Sequence, residues 1–336
     1  MSPPLLPFPI KTTTDKSIQS GLVDTSEPIL QSHYVVRNSS TQALFGFCAT
    51  YTYPSRSLGV LAALFVDPSK RNLSIGHSLH QRAIRGLLSP NPKFPNLKIQ
   101  TLQLGSSLPN IFPGIPMSDL TEGARLKRWF AANGWDISSP RLLYTLTIRN
   151  LSHWAPPEGL LSNIQRVSFA FDLIHGRENA ASVLEHVSTH SGPEVLALYN
   201  LALSDEKSCG VVRAKSPVDG SLVGTVIITR PSSSLAVFIP VLNSTSSAGN
   251  GNGSNGLQIG GILAPVVPNT PQATIVLQGL ALLGIRQNKA HKSTACTLCW
   301  VQGEERDVLL GMGFDVLDQL QPAGSAQGDV DDGDVR

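Results

Sequence analysis

Apolar and polar positions alternate with period two along 43–53, where Phe45, Phe47, Ala49 and Tyr51 fall on one face. That is the pattern of a half-buried strand. A shorter strand is expected at 31–38, around Tyr34, Val35 and Val36. The run 59–66 is apolar throughout and reads as a strand buried on both faces. The period then changes. At 76–88, Leu79, Ala83, Ile84, Leu87 and Leu88 recur at helical spacing. A strand at 97–104 and a helix at 119–133 follow, the helix carrying Leu120, Ala124, Leu126, Trp129 and Phe130 and stopped by Asn133-Gly134. Alternation returns at 141–150 and is expected to close a first unit.

The second half runs through the same order. A strand is expected at 167–173, helices at 178–190 and 194–204, and a hairpin of 209–215 and 222–229 turning at Asp219-Gly220. Then come a strand at 257–266, a helix at 272–286, a strand at 293–301 and a helix at 304–312. Val66-Asp67-Pro68 and its helix match Val266-Val267-Pro268 and the helix after it. The end of the 119–133 helix with Gly134-Trp135-Asp136 matches Leu309 to Asp315. Such spacing signals an internal duplication. The expected division is a Pro/Ser/Thr-rich tail at 1–30, a first unit at 31–150, a linker at 151–161, a second unit at 162–321 and an acidic tail at 322–336.

With 336 residues, 41% of them hydrophobic, two domains with real cores are affordable. Charged residues make up 15%, the net charge is +2, and no long basic block occurs, so nucleic acid is not an expected partner. No apolar run is long enough to span a bilayer and no basic-then-apolar leader opens the sequence, so neither a membrane nor export is expected. Four scattered cysteines do not make a disulfide framework, which suits a reducing, cytoplasmic setting. Cys296 and Cys299 have metal-like spacing, but residues three apart on a strand face opposite ways, so no metal site is expected. Gly251 to Gly256 matches a dinucleotide pattern by letters alone and reads as a flexible loop.

The chemistry concentrates at 64–79. A strand runs into a turn that opens a helix, with Lys70 and Arg71 in the turn and the small Ser74 and Gly76 at the helix entrance. Free amides, a positive helix end and cations together suit a pyrophosphate. Arg71-x-x-Ser74-x-Gly76 resembles the acetyl-CoA loop of the GNAT N-acetyltransferases, with serine in place of the first glycine, a change tolerable if φ there stays negative. The pair ending in Gly134-Trp135 and Gly313-Phe314 resembles that family's second signature. Phe171 to Gly176 and Arg286 to Lys292 resemble the C-terminal acetyltransferase region of fungal glycoside hydrolase family 3 β-N-acetylglucosaminidases, whose hydrolase barrel is not present in this sequence.

The resemblance implies an α/β (α+β) fold of two tandem GNAT-like units. Each is a mixed, mostly antiparallel sheet flanked by helices, with a splayed strand pair at the cofactor cleft. It implies acetyl-CoA as cosubstrate, no metal, a small amine as acceptor, glucosamine or another amino sugar among them, and a glycosidase domain as partner in longer relatives. Cofactor contacts would fall on Phe65, Val66, Lys70, Arg71, Asn72, Leu73, Ser74, Ile75, Gly76 and Ser78, with the oxyanion-binding amide near Phe65 or Val66. The usual helix tyrosine is Phe130 here and Leu309 in the second unit, and the strand before the loop has no glutamate. That leaves Tyr51, Tyr53 and Asp67 as catalytic candidates. In the second unit Thr274, Ile275 and Val276 replace the small residues, which implies a degenerate site. The alternative to an enzyme is a CoA-binding or structural module that has lost catalysis.

Overall fold

The computed structural model describes residues 10–13, 29–92, 94–105, 114–117, 119–138, 142–178, 180–231, 233–239, 242 and 258–326. In chain order these form β1 (Ile10–Thr13), β2 (Leu30–Arg37), β3 (Leu44–Tyr53), β4 (Leu58–Val66), α1 (Ile75–Leu88), β5 (Thr101–Leu104), β6 (Ile115–Pro116), α2 (Leu120–Ala132) and β7 (Leu143–Ile148). The rest are α3 (Leu160–Arg166), β8 (Ala170–Ile174), α4 (Ala181–His190), α5 (Pro193–Ser204), β9 (Cys209–Lys215), β10 (Leu222–Thr229), β11 (Ile259–Val266), α6 (Ala273–Ala290), β12 (Ala295–Gln302), α7 (Gly303–Leu310), β13 (Asp315–Gln321) and β14 (Ala323–Ala326).

Two mixed sheets result, ordered β1-β2-β3-β4-β5-β14 and β6-β13-β7-β12-β11-β10-β9-β8. Each contains a parallel pair joined by a crossover helix: β4 and β5 across α1, β11 and β12 across α6. The expected duplication is therefore present in the topology. α1 lies on the first sheet through Ile75, Leu79, Ala83 and Leu87; of the expected stripe Leu79, Ala83 and Leu87 are buried, Ile84 is partly buried, Leu88 is exposed, and Ile75, the first residue of α1, joins it. Gly46 on β3 makes that contact possible. A Cβ there would stand 3.0 Å from both Ile75 Cγ2 and Leu79 Cδ1. α2 starts at Asp119, whose carboxylate accepts the amides of Thr121 and Glu122, a standard N-cap. α6 and α3 cover one face of the second sheet, and α4 with α5 cover the other.

The units are not separable at the expected linker. β7 forms where a strand was expected, but instead of closing the first sheet it pairs with β12 and β13 in the second. β7 is buried along almost its whole length, so it needs a central slot with a neighbour on each side. β14 makes the reverse journey from the end of the chain and lies beside β5 in the first sheet. The segment at 151–161 is packed rather than loose. Leu151 is fully buried, its amide bonds the Thr294 carbonyl, and the Trp154 indole donates to the Met312 carbonyl. Of the expected tails, 10–13 form an edge strand on β2, Leu30 opens β2 itself and 323–326 form β14, while 1–9, 14–28, 327–336 and the loop at 251–256 lie outside the described residues. Among the described residues no helix is long and apolar enough to cross a membrane.

A chain ending at Gln321 loses the strand that covers β5, together with the buried Ala323. Its unfolding free energy should fall by about 2 kcal/mol or more, while a chain ending at Ala326 should match the full chain. Urea titration of the three proteins checks this. Equal midpoints would show that β14 is dispensable.

Candidate functional site

β4 and β5 pair only from Leu58–Thr101 to Leu61–Leu104, after which the Gly105 amide reaches the Leu61 carbonyl and the ladder stops. β4 runs on to Val66 with no neighbour on that edge among the described residues. A bulge marks the parting. On β3, Ala49 and Thr50 oppose Ala63 and Leu61, leaving Ala62 as the extra residue. Beyond the bulge, the bond from the Asp67 amide to the Phe45 carbonyl fixes which way the peptides point. By strand alternation Ala63, Phe65 and Asp67 face β3, so the amides of Leu64 and Val66 face the open edge. The expected donor at Phe65 thus points the wrong way, Val66 points the right way, and Leu64 joins it.

The opening is a cleft of about 590 Å³. The 67–76 turn and the N-terminus of α1 form one wall. The Asp67 carboxylate accepts the Ser69 amide and hydroxyl and so shapes the turn. Asn72 and Ser74 both have positive φ, +66° and +58°. The condition that φ at Ser74 stay negative is not met: serine occupies a left-handed position that glycine would hold without strain. The first intrahelical bond runs from Ser78 to Ser74, leaving the amides of Ile75, Gly76 and His77 without acceptors among the described residues. A Cβ at Gly76 would meet only Val66 Cγ2, at 3.4 Å, so the fold tolerates a side chain there and the cleft would receive it.

α2 supplies the opposite wall with Leu126, Trp129 and Phe130. Behind them the Trp135 indole donates to His80 Nε2 at 2.8 Å, and His80 meets Trp129 edge-on, as Trp129 meets Phe130. An indole N–H can only donate, so His80 Nε2 must accept and the ring stays neutral. Burial pushes its pKa down to about 4. At the mouth, Glu122 on α2 bonds Arg71 Nη1 at 2.9 Å and is gripped by Arg125 through two nitrogens, at 3.0 and 2.8 Å. Lys70 rests over the Phe45 ring.

Of the cofactor contacts expected from sequence, Phe65, Val66, Lys70, Arg71, Asn72, Ser74, Ile75 and Gly76 line this cleft. Leu73 and Ser78 are not among its lining residues. The catalytic candidates do not assemble. Tyr51 and Tyr53 sit opposite Val60 and Leu58, where β4 and β5 are still paired. They pack with Ala49, Val60 and Ala62 in a cluster that adjoins the cleft through Phe47, Ala62 and Ala63, yet neither tyrosine is among the lining residues; Tyr51 is half-buried and Tyr53 buried, with Arg56 stacked on its ring. Asp67 is partly exposed and does not line the cleft, and its bonds to Ser69 hold its carboxyl below the usual range. Glu122 and Arg125 were missed. Their i, i+3 spacing on α2 was readable, but the contact with Arg71 spans 51 positions and needs the fold.

The second unit is built from different residues at the same place. Gly224 lies under Val276 and Leu280 as Gly46 lies under Ile75 and Leu79, which puts the units one residue beyond an offset of two hundred. The position of Gly76 is therefore held by the buried Leu277 rather than by Val276. The position of Leu64 is held by Pro265, which has no amide hydrogen. The Tyr199 hydroxyl donates to the carbonyl of Ala264, itself at φ +48°, and His186 Nε2 lies 3.3 Å from the carbonyl of Val266. Cys296 and Cys299 are both buried, and burial drives both thiol pKa values up, to about 12 for Cys296.

No protein-family model and no curated protein sequence matches this chain. Solved structures match its fold. The GCN5-related glucosamine N-acetyltransferase region of a fungal multi-domain GH3 β-N-acetylglucosaminidase superposes with a TM-score of 0.69 at 18% identity, over 95% of this chain. This chain spans 38% of the length of that enzyme. A tandem GNAT protein from the clavulanic acid biosynthesis pathway matches with a TM-score of 0.53 at 15% identity, over 90% of this chain and 85% of that one. A GCN5-related N-acetyltransferase from Sphaerobacter thermophilus matches at 0.54 and 15%, over 88% and 80%. The chain has the tandem GNAT fold.

Because His80 is neutral when folded but takes up a proton near pH 6.5 when unfolded, acid should destabilise the protein between pH 6.5 and about 4. From pH 7 to 4.5 the loss assigned to this ring is about 2–3 kcal/mol. His80→Gln keeps an acceptor for Trp135 and should lose correspondingly less stability over that range, by denaturant titration at the two pH values. The buried His186 adds dependence of the same sign to both proteins. Equal losses in wild type and variant would remove His80 as the cause.

Proposed function

We propose that the first unit binds acetyl-CoA in the β4–β5 cleft and transfers its acetyl group to a small amine, glucosamine or another amino sugar being the acceptor class favoured. The observation that carries this is the parted strand pair. It leaves two backbone amides, Leu64 and Val66, facing a cleft whose mouth is a positive helix end with Lys70 and Arg71. The diphosphate of CoA would rest on the amides of Ile75, Gly76 and His77, and the pantetheine would run along the open edge of β4. The amine nitrogen would attack the thioester carbon, a β4 amide would stabilise the oxyanion, and the C–S bond would break as the tetrahedral species collapses. The ammonium proton would leave to solvent and the thiolate would take one from it. The amino-sugar acceptor is supported by the fold match to a region described as a glucosamine N-acetyltransferase, and by the sequence resemblance to that group. A glycosidase domain as partner rests on the same support.

A second reading, a CoA-binding module without turnover, is favoured by one observation. The titratable residues lining the cleft, Lys70, Arg71, His77, Glu122 and Arg125, belong to the turn, the first turn of α1 and the start of α2, while Phe130 stands where a phenol would serve as acid. Release of free thiol from acetyl-CoA in the presence of glucosamine separates the two readings.

Calorimetry with acetyl-CoA on the full chain should find one site. Gly76→Val should abolish binding by filling the cleft, and Arg71→Ala should weaken it about tenfold, the scale of one charge-assisted hydrogen bond. Two equivalent sites, or binding unaffected by Gly76→Val, would overturn the assignment. Tyr51→Phe and Tyr53→Phe should leave turnover within about twofold, since neither tyrosine lines the cleft. A tenfold loss in either would return a phenol to the mechanism.

A further inference from the structure

The loop that should receive an anion already holds one. Glu122 stands on the first turn of α2, its amide bonded to Asp119. Its carboxylate bridges Arg71 of the turn and Arg125 of α2, with Oε1 shared between both guanidinium groups and Oε2 bonded to Arg125 Nε. All three side chains line the cleft beside the unpaired amides at the start of α1. A carboxylate there resembles one end of a diphosphate: two oxygens, one negative charge, two arginine partners.

We propose that Glu122 is a resident counter-anion, seated on Arg71 and Arg125 in the free protein and displaced when a diphosphate enters, and that it sets both the affinity of the loop and its selectivity for polyanions. This rests on reading the cleft as a site for a CoA-like ligand. The exposed ion pairs of Glu122 are cheap to break, because side chains about a third exposed or more are well screened. They are nonetheless intramolecular, so a monovalent anion in solution competes against a carboxylate held at high local concentration. A diphosphate, which also collects the α1 amides and Lys70, can replace it. The groups that face Glu122 are Arg71, Arg125 and Asp119, and Asp119 adds to the repulsion an incoming anion meets.

The test is calorimetric titration of the full-length protein, Glu122→Gln and Glu122→Asp with CoA, inorganic pyrophosphate and inorganic phosphate at fixed ionic strength. Glu122→Gln should bind CoA and pyrophosphate about three- to tenfold more tightly, as expected for removing one screened charge beside the ligand. It should gain more for phosphate than for pyrophosphate, so that selectivity falls. Glu122→Asp, which keeps the charge, should stay within about twofold of wild type. Unchanged or weaker pyrophosphate binding by Glu122→Gln at an unchanged melting temperature would overturn the proposal and make Glu122 a strut between loop and helix. If pyrophosphate follows the expected pattern but CoA binds no variant, the CoA reading fails and the counter-anion stands. If CoA binds wild type and Glu122→Gln equally, the counter-anion fails and the CoA reading stands.

Discussion

One extra residue in β4 governs the first unit. Ala62 bulges against β3, the ladder to β5 ends at Leu61, and everything chemical about the cleft follows from that parting. Without it, the peptides of Leu64 and Val66 would be spent on a neighbouring strand, as backbone groups in a sheet interior normally are. With it, unpaired amides are held in place by β3 on one side and α1 beneath. The cost of leaving them open is bearable because they face a cleft rather than an apolar core.

The second unit shows the same frame with different residues at the position of the opening. β11 also has a bulge, shifted along the strand to 264–265, yet Pro265 supplies no amide, Tyr199 and His186 reach the carbonyls, and Leu277 stands where the first unit keeps glycine. What remains is a packed body whose largest helix, α6, is buried along most of its length. Its contribution to the first unit is mechanical. It supplies β14, and it anchors β6 and β7.

Much of this was legible in the sequence, within the range over which side-chain spacing speaks. The strand before the turn and the helix after it, much of the stripe on α1, the stop of α2 at Asn133-Gly134 and the doubled order of elements all follow from local patterns. The cations and amides of the loop were found for the same reason. Three things were not local. Which sheet accepts β7 depends on burial of both its faces. Which amides of β4 are free depends on a one-residue bulge that reverses the parity, so of the two expected positions, Phe65 and Val66, only Val66 faces the open edge, and Leu64 joins it. Tyr51 and Tyr53 share a strand with the cleft but lie beyond the point where the strands part, a boundary set by pairing and not by residue type. Ser74 shows a further limit, since a motif position can keep its left-handed backbone after losing its glycine.

The crossing of β7 and β14 also orders events in time. A ribosome delivers the chain from its N-terminus, and domains commonly fold as they emerge. The first sheet cannot do so here, because its strand at 323–326 arrives only after the whole second half has been made. Pairing β14 with β5 closes a loop of more than two hundred residues, the kind of contact that slows folding and leaves a strand edge exposed meanwhile. The half with the open cleft is therefore the half completed last, and β5 waits unpaired on one side until it is.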